Sequence, residues 1–306
     1  MVKINFFPSA LCLLFAYHAV VVAQTEGGVS MIQAWQANAD SYANYDVSYR
    51  HWIGFMDPAE KVKGTDSDMT ESVTQGRIVV DRSKGRIAFA RYVKLEVNGN
   101  LNRRFDYYDW QNDVERSMSD REPIPRTSRR TFEQFCKARF VPIVECTLVD
   151  FPETLATRDL QEDSVATIGY WADSSIAFHP DGSSTIATHR PRENRIQTRM
   201  LIDPSSTMPT KISSDECDPK SGAFLRTIHS GNPRYEKCKE VYRIISHEYN
   251  DRMVIREQPR ETVGTVQFTW HQFNEDAIRF PCEAGVPFEL EDAKEFLRQG
   301  IGEESK

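Results

Sequence analysis

The sequence predicts an α+β fold in which a curved antiparallel sheet is covered on one face by helices. Three observations predict it: runs that alternate apolar with polar residues, turn signals at short intervals between them, and helical stripes near the two ends. In order, Ser30 is a candidate N-cap, and Ile32, Trp35, Ala39 and Tyr42 form one apolar stripe, predicting a helix. The period then changes to two. Tyr45, Val47 and Tyr49 alternate with Asp46, Ser48 and Arg50, the pattern of a half-buried strand. After a polar loop from Asp57 to Glu71, Gly76–Asp81, Arg82-Ser83-Lys84-Gly85 and Arg86–Val97 read as a hairpin, and Asn98-Gly99 turns the chain into Phe105–Trp110. Residues 44 to 118 therefore predict a meander.

The middle of the chain is less regular. Arg126 to Arg139 is expected as a helix, with Phe132, Phe135 and Arg139 on one side. From His179-Pro180-Asp181-Gly182, a turn signal, strands resume. Ile196, Thr198, Met200 and Ile202 alternate with Gln197, Arg199 and Leu201, and further strands are expected near Ala223–His229, Val241–His247, Met253–Glu257 and Val263–Phe273. Leu290, Ala293 and Leu297, led by acids, predict a closing helix.

Residues 1–23 read as a secretory signal peptide. Lys3 supplies the positive start, Ile4–Val22 is nearly all apolar, and Val21-Val22-Ala23 places small residues before a cleavage between Ala23 and Gln24. Thr25-Glu26-Gly27-Gly28 follows where a membrane anchor would carry basic residues, so no stable transmembrane anchor is expected, and the chain is expected to be exported, to the periplasm or beyond. Residues 24–306 suit one domain, with an insertion around 119–190 left unassigned.

The net charge of −7 becomes −8 once the leader and its one lysine are gone. That balance argues against nucleic-acid binding, which requires clustered Lys and Arg. Arginines 116, 121, 126, 129 and 130 are interleaved with Asp113, Glu115, Asp120 and Glu122, and read as a solvated stretch. Five cysteines follow the leader, and export permits disulfides: Cys217 with Cys238 is the first pairing expected, Cys136 with Cys146 the second, with buried free thiols equally open.

No nucleophile elbow, zinc-protease helix, phosphate loop or Cys-x-x-Cys is present, so no catalytic residue, cofactor or metal is assigned. The six histidines after the leader are scattered singly. His179 and His189 flank a turn and could meet with Asp181 on a metal, although solitary turn histidines are commoner. The remaining feature is the apolar strand faces: Val47 and Tyr49, Ile87 and Phe89, Met200 and Ile202, Phe268 and Trp270. Core packing is their ordinary role. A strongly curved sheet would leave an apolar hollow between them, where an acyl chain gains about 0.8 kcal/mol per buried methylene.

Two segments carry a family resemblance. One is the strand entry Tyr42–Val47. The other is Met200-Leu201-Ile202-Asp203-Pro204-Ser205-Ser206-Thr207-Met208-Pro209-Thr210-Lys211-Ile212, a strand, an Asp-Pro stop, a small polar turn and a strand begun by proline. With the succession of short strands, the chain resembles the LolA-like superfamily of lipoprotein-sorting and envelope half-barrel proteins. The resemblance implies an unclosed β-barrel covered by helices, whose concave face binds a lipid or a lipoprotein acyl chain without chemistry. No individual residue's role carries over by motif. The reading it favours is a non-enzymatic envelope protein binding a hydrophobic ligand. An envelope interaction or sensor module on the same fold, and a secreted hydrolase with a dispersed acid pair, stand as alternatives.

Overall fold

The computed structural model describes residues 38, 41, 44–56, 70–81, 84, 86–97, 100–120, 122–129, 175–187, 196–218, 220–221, 223–255, 258–275, 277–283 and 285–301. Thirteen strands among them form one antiparallel sheet: β1 (Asn44–Met56), β2 (Thr70–Asp81), β3 (Arg86–Val97), β4 (Asn100–Asp109), β5 (Val114–Ser119), β6 (Glu122–Arg129), β7 (Ser175–Phe178), β8 (Ser184–Ala187), β9 (Ile196–Ile202), β10 (Pro209–Cys217), β11 (Phe224–Cys238), β12 (Val241–Ile255) and β13 (Gln258–Phe273). The order across the sheet is β6-β5-β4-β3-β2-β1-β13-β12-β11-β10-β9-β8-β7. The first and last strands thus pair at the centre, and each half of the chain meanders outward from that seam to its own edge. The sheet is not closed.

Local chemistry explains the turns. Between β11 and β12, Lys239 and Glu240 both take positive φ (50° and 67°), the pair of left-handed residues a tight two-residue hairpin requires. Between β9 and β10, the Asp203 carboxylate accepts from the Ser206 amide at 2.8 Å and from the Ser205 and Ser206 hydroxyls at 2.5 and 2.7 Å. The Asp-Pro turn expected from the sequence is built as expected. Register shifts at Asp46/Val47, Ser117/Ser119, Ser214/Asp215 and Arg234/Tyr235 bend the strands that carry them.

One helix is described, α1 (Leu290–Ile301). Ala293, Phe296, Leu297 and Gly300 recur at helical spacing and are its buried side. They pack with Phe288 on Val79, Ala88, Ala90, Phe105 and Tyr107. Arg77 locks the helix down: it donates to the Asp46 carboxylate at 2.9 and 2.6 Å, to the Phe296 carbonyl at 2.7 Å, and its guanidinium lies 4.6 Å from the Phe296 ring centre. No room remains there, since a Cβ on Gly300 would sit 2.3 Å from the Ser48 hydroxyl.

Two expectations are corrected. The helix expected from Arg126 begins instead as strand: Glu122–Arg129 is the edge strand β6, with Arg126, Thr127, Ser128 and Arg129 paired to β5. Pro123 and Pro125, poor in a helix interior, are tolerated on a sheet edge. The Cys217–Cys238 bridge is not formed, and both thiols are free. Cys217 faces Phe224 at one end of β11 and Cys238 closes the other. At about 3.3 Å per residue that separation is on the order of 45 Å, against the roughly 6 Å between Cα atoms that a disulfide tolerates. The leader, most of the helix from Ser30 to Tyr42, Cys136 and Cys146 lie outside the described residues.

Candidate ligand-binding face

Side-chain alternation divides the sheet into two faces. On β1, Asp46 and Ser48 point to α1, whereas Tyr45, Val47, Tyr49 and His51 point the other way. This inner face carries the larger apolar cluster. Tyr45, Val47 and Tyr49 are joined there by Ile78 and Val80 of β2, Ile87 and Phe89 of β3, Tyr108 of β4, Met200 and Ile202 of β9, Ile212 of β10, and Val266 and Phe268 of β13. All eight residues singled out from the sequence fall in this cluster, seven as buried members and Trp270 packed half-buried against them. Trp270 is held by its indole N–H, which donates to the Ile244 carbonyl at 2.7 Å, and by edge contacts to Tyr45 and Phe273 at 5.8 and 5.3 Å.

A band of polar side chains crosses the same face beside the apolar cluster. On β3 and β4, Arg91 and Arg104 both donate to Asp106, at 3.0 and 2.7 Å. At the centre stand His51 of β1, His229 of β11, and His247, Tyr249 and Asp251 of β12. Register brings them together: His51 pairs with Val266, which pairs with His247, and Asp251 pairs with His229. His51 Nε2 and the Tyr249 hydroxyl are 2.8 Å apart, and His229 Nδ1 donates to Asp251 at 2.5 Å. The rings of His229, His247 and Tyr249 stack, with centres 5.7 to 6.3 Å apart.

Glycines make this stacking possible. A Cβ on Gly264 would lie 2.2 Å from the Tyr249 ring, and one on Gly231 would lie 2.4 Å from the His247 ring. Both rings therefore lie across neighbouring strands where any larger residue would hold them off.

Burial sets the electrostatics of two of these imidazoles. Burial lowers His51 to about 4 and His247 to about 3, the latter with help from His229 and His51, and burial raises the Tyr249 phenol. At neutral pH these imidazoles offer hydrogen bonds and no charge. Among the described residues, neither ring nitrogen of His247 has a hydrogen-bond partner, and neither has the Thr262 hydroxyl opposite Asp251.

Sequence reasoning missed this cluster, because its members are spread from position 51 to 251. One signal was present: His247, Tyr249 and Asp251 alternate along a strand where the inward face should be apolar. The turn histidine His179 bonds to Thr185 at 2.7 Å, and Asp181 accepts from Ser183. His189 lies outside the described residues, and among those described no group of three side chains is placed to hold a metal ion. An open pocket of about 230 Å³ lined by Arg50, Trp52, Thr265 and Gln267 lies on the side of the sheet that carries α1.

No family profile matches the chain, and no curated protein matches it. Among solved structures, the chain is similar to a DUF1329 family protein from Desulfovibrio piger, at 9% identity and a TM-score of 0.38, covering 83% of this chain and 95% of that one. It is also similar to a Vibrio parahaemolyticus domain assigned as an outer membrane lipoprotein-sorting protein, at 11% identity and a TM-score of 0.38, covering 90% and 99%. The Pseudomonas aeruginosa MucA/MucB complex matches at 8% identity and a TM-score of 0.24, covering 79% and 94%. At these scores nothing about ligand or partner follows from the likeness.

Proposed function

We propose that this chain is a non-enzymatic exported protein of the cell envelope that holds a hydrophobic ligand, a lipid or a lipoprotein acyl chain, on the inner face of its unclosed barrel. One observation carries the reading. The described helix packs on the opposite face, so the larger apolar cluster is not the surface that α1 buries. Val47, Tyr49, Ile87, Phe89, Met200, Ile202, Phe268 and Trp270 would line the acyl chain. Because seven of them are already buried, entry of a chain requires the two arms of the sheet to part, which an unclosed sheet allows without breaking a ladder. Export rests on the leader, with cleavage between Ala23 and Gln24. No helix among the described residues is long and apolar enough to cross a membrane.

Native mass spectrometry on protein purified from the envelope tests the reading. A bound lipid that detergent exchange removes, and that a fluorescent acyl chain replaces, supports it. A ligand-free protein that also takes up no acyl chain overturns it.

A second reading, an envelope interaction module, is favoured by the edges. Ile124 on β6 and Phe178 on β7 are 81% and 62% exposed, each on a strand with one open side. A stoichiometric protein partner lost on Ile124→Asp would support it.

A further inference from the structure

We infer that the histidine–tyrosine cluster is the seat of an uncharged, hydroxyl-bearing head group, so that the ligand is an amphiphile of the monoacylglycerol class and not a free fatty acid. The inference rests on the acyl-holding reading above and adds to it the chemistry of the ligand's polar end.

His247 is the central observation. It is 0% exposed, and both of its ring nitrogens lack a partner among the described residues. A buried imidazole in that state forgoes two hydrogen bonds, a cost large enough that such groups ordinarily meet a protein atom, a water or a ligand. Thr262, 4% exposed on the same face of the neighbouring strand, has an unpartnered hydroxyl as well. Two orphaned polar groups on one face, beside an apolar cluster, define a surface with a greasy part and a hydrogen-bonding part. An amphiphile matches both at once.

The type of head follows from what the groups can do. A neutral imidazole presents one N–H donor and one lone pair. A hydroxyl answers both, because it donates one hydrogen bond and accepts another. A carboxylate accepts only, so it leaves the imidazole lone pair unanswered. Burial also keeps the His247 ring from taking up a proton that would compensate the charge. An ester without a hydroxyl likewise fills only the donor.

The position is built for close approach. The Nε2 atoms of His247 and His229 lie 2.8 and 3.2 Å from the point where a Cβ on Gly231 would stand. Both imidazoles therefore converge on one spot of bare backbone and fill it, so a head group reaches their nitrogens from the side of the rings away from Gly231.

The test is a titration of the delipidated full chain with three probes sharing one acyl chain: 1-monooleoylglycerol, methyl oleate and oleate. One satisfied pair of hydrogen bonds should favour 1-monooleoylglycerol over methyl oleate by about ten-fold or more, with oleate weaker than 1-monooleoylglycerol at pH 7. In His247→Leu the ratio falls to about one. Equal wild-type affinities for the glyceride and the methyl ester overturn the inference, as does oleate binding tightest, and neither result touches the acyl-holding reading. Binding of none of the three overturns both. The wild-type comparison stands even if the variant does not fold.

Discussion

The two faces of the sheet are built by different rules. Under α1, the sheet offers Val79, Ala88 and Ala90, small side chains that let the helix approach, flanked by Phe105 and Tyr107, and Phe288, Phe296 and Leu297 pack onto them from the helix side. The polar link there is complete: Asp46, Arg77 and the Phe296 carbonyl satisfy one another. The inner face reverses the arrangement. The sheet itself supplies the bulk, through Tyr45, Phe89, Tyr108 and Met200, and its polar groups include two left without partners. A surface made to receive a fixed element of its own chain can offer it small side chains and a closed ion-pair link. A surface with its own bulk and unanswered hydrogen bonds suits something that comes and goes.

The strongest way to sharpen that contrast is to remove the helix's anchor. Phe296→Ala deletes a buried ring that packs edge-on to Phe288 at 5.8 Å and under the Arg77 guanidinium. It should cost about 3–5 kcal/mol of stability, read from the shift in urea midpoint. The loss should be the same with and without a bound acyl chain. Met200→Ala on the inner face should also destabilise the free protein, and its loss should grow when ligand is present, because the variant gives up contacts to the acyl chain and gains less from a ligand that binds only the folded state. Equal behaviour of the two variants in ligand would erase the distinction between the faces.

How much of this was legible in the sequence follows the range of the forces involved. The hairpins were readable because local chemistry fixes them: Asp203 closes its own turn with Ser205 and Ser206, and period-two alternation marks Tyr45 to Tyr49. The closing helix was readable for the same reason. The continuity of β11 was not, because Gly231-Asn232-Pro233 looks like a break. In the fold Gly231 is needed bare so that the His247 ring can lie over it. Nor was the histidine cluster legible. His51 and His247 meet only because β1 and β12 both flank β13, a consequence of the two chain ends pairing at the seam, which no local pattern encodes. The disulfide expectation failed for a related reason: a chain spacing of twenty residues was taken as proximity, while one long strand spans nearly all of it.

The next effect is acid sensitivity, and on the inner face it has two sources. His51 and His247 are buried as neutral rings with pKa values of about 4 and 3, against an unfolded value of about 6.5. The unfolded chain therefore binds more protons, and stability falls with pH. Their contribution is fully present above about pH 6.5 and is lost progressively as pH drops from there toward the folded values. Between pH 7 and pH 5.5 the pair should lose about 2.5 kcal/mol. Urea melts at the two pH values check it. The slope should be roughly halved in His51→Phe. An unchanged slope in that variant would mean that groups elsewhere govern the acid response.

The smallest effect tests whether the glycines are there for the rings. In Gly264→Ala the new methyl would stand 2.2 Å from the Tyr249 ring, so the ring must swing away and its hydroxyl must leave His51. Overpacking of this kind costs about 1–3 kcal/mol. Without the clash, alanine in place of a strand glycine would be stabilising by a few tenths to about 1 kcal/mol, since it restricts the unfolded chain. The sign of the change is therefore decisive. The same substitution at Gly285, where φ is +87° and nothing lies within 4 Å, carries backbone strain without any ring displacement. It serves as the control on the helix side of the sheet. If Gly264→Ala stabilises the protein, Tyr249 has room to stand upright, and the cluster is not held flat by the bare backbone beneath it. If it destabilises and also blunts the preference for a hydroxyl head group, the ring geometry and the proposed binding are one feature of the inner face.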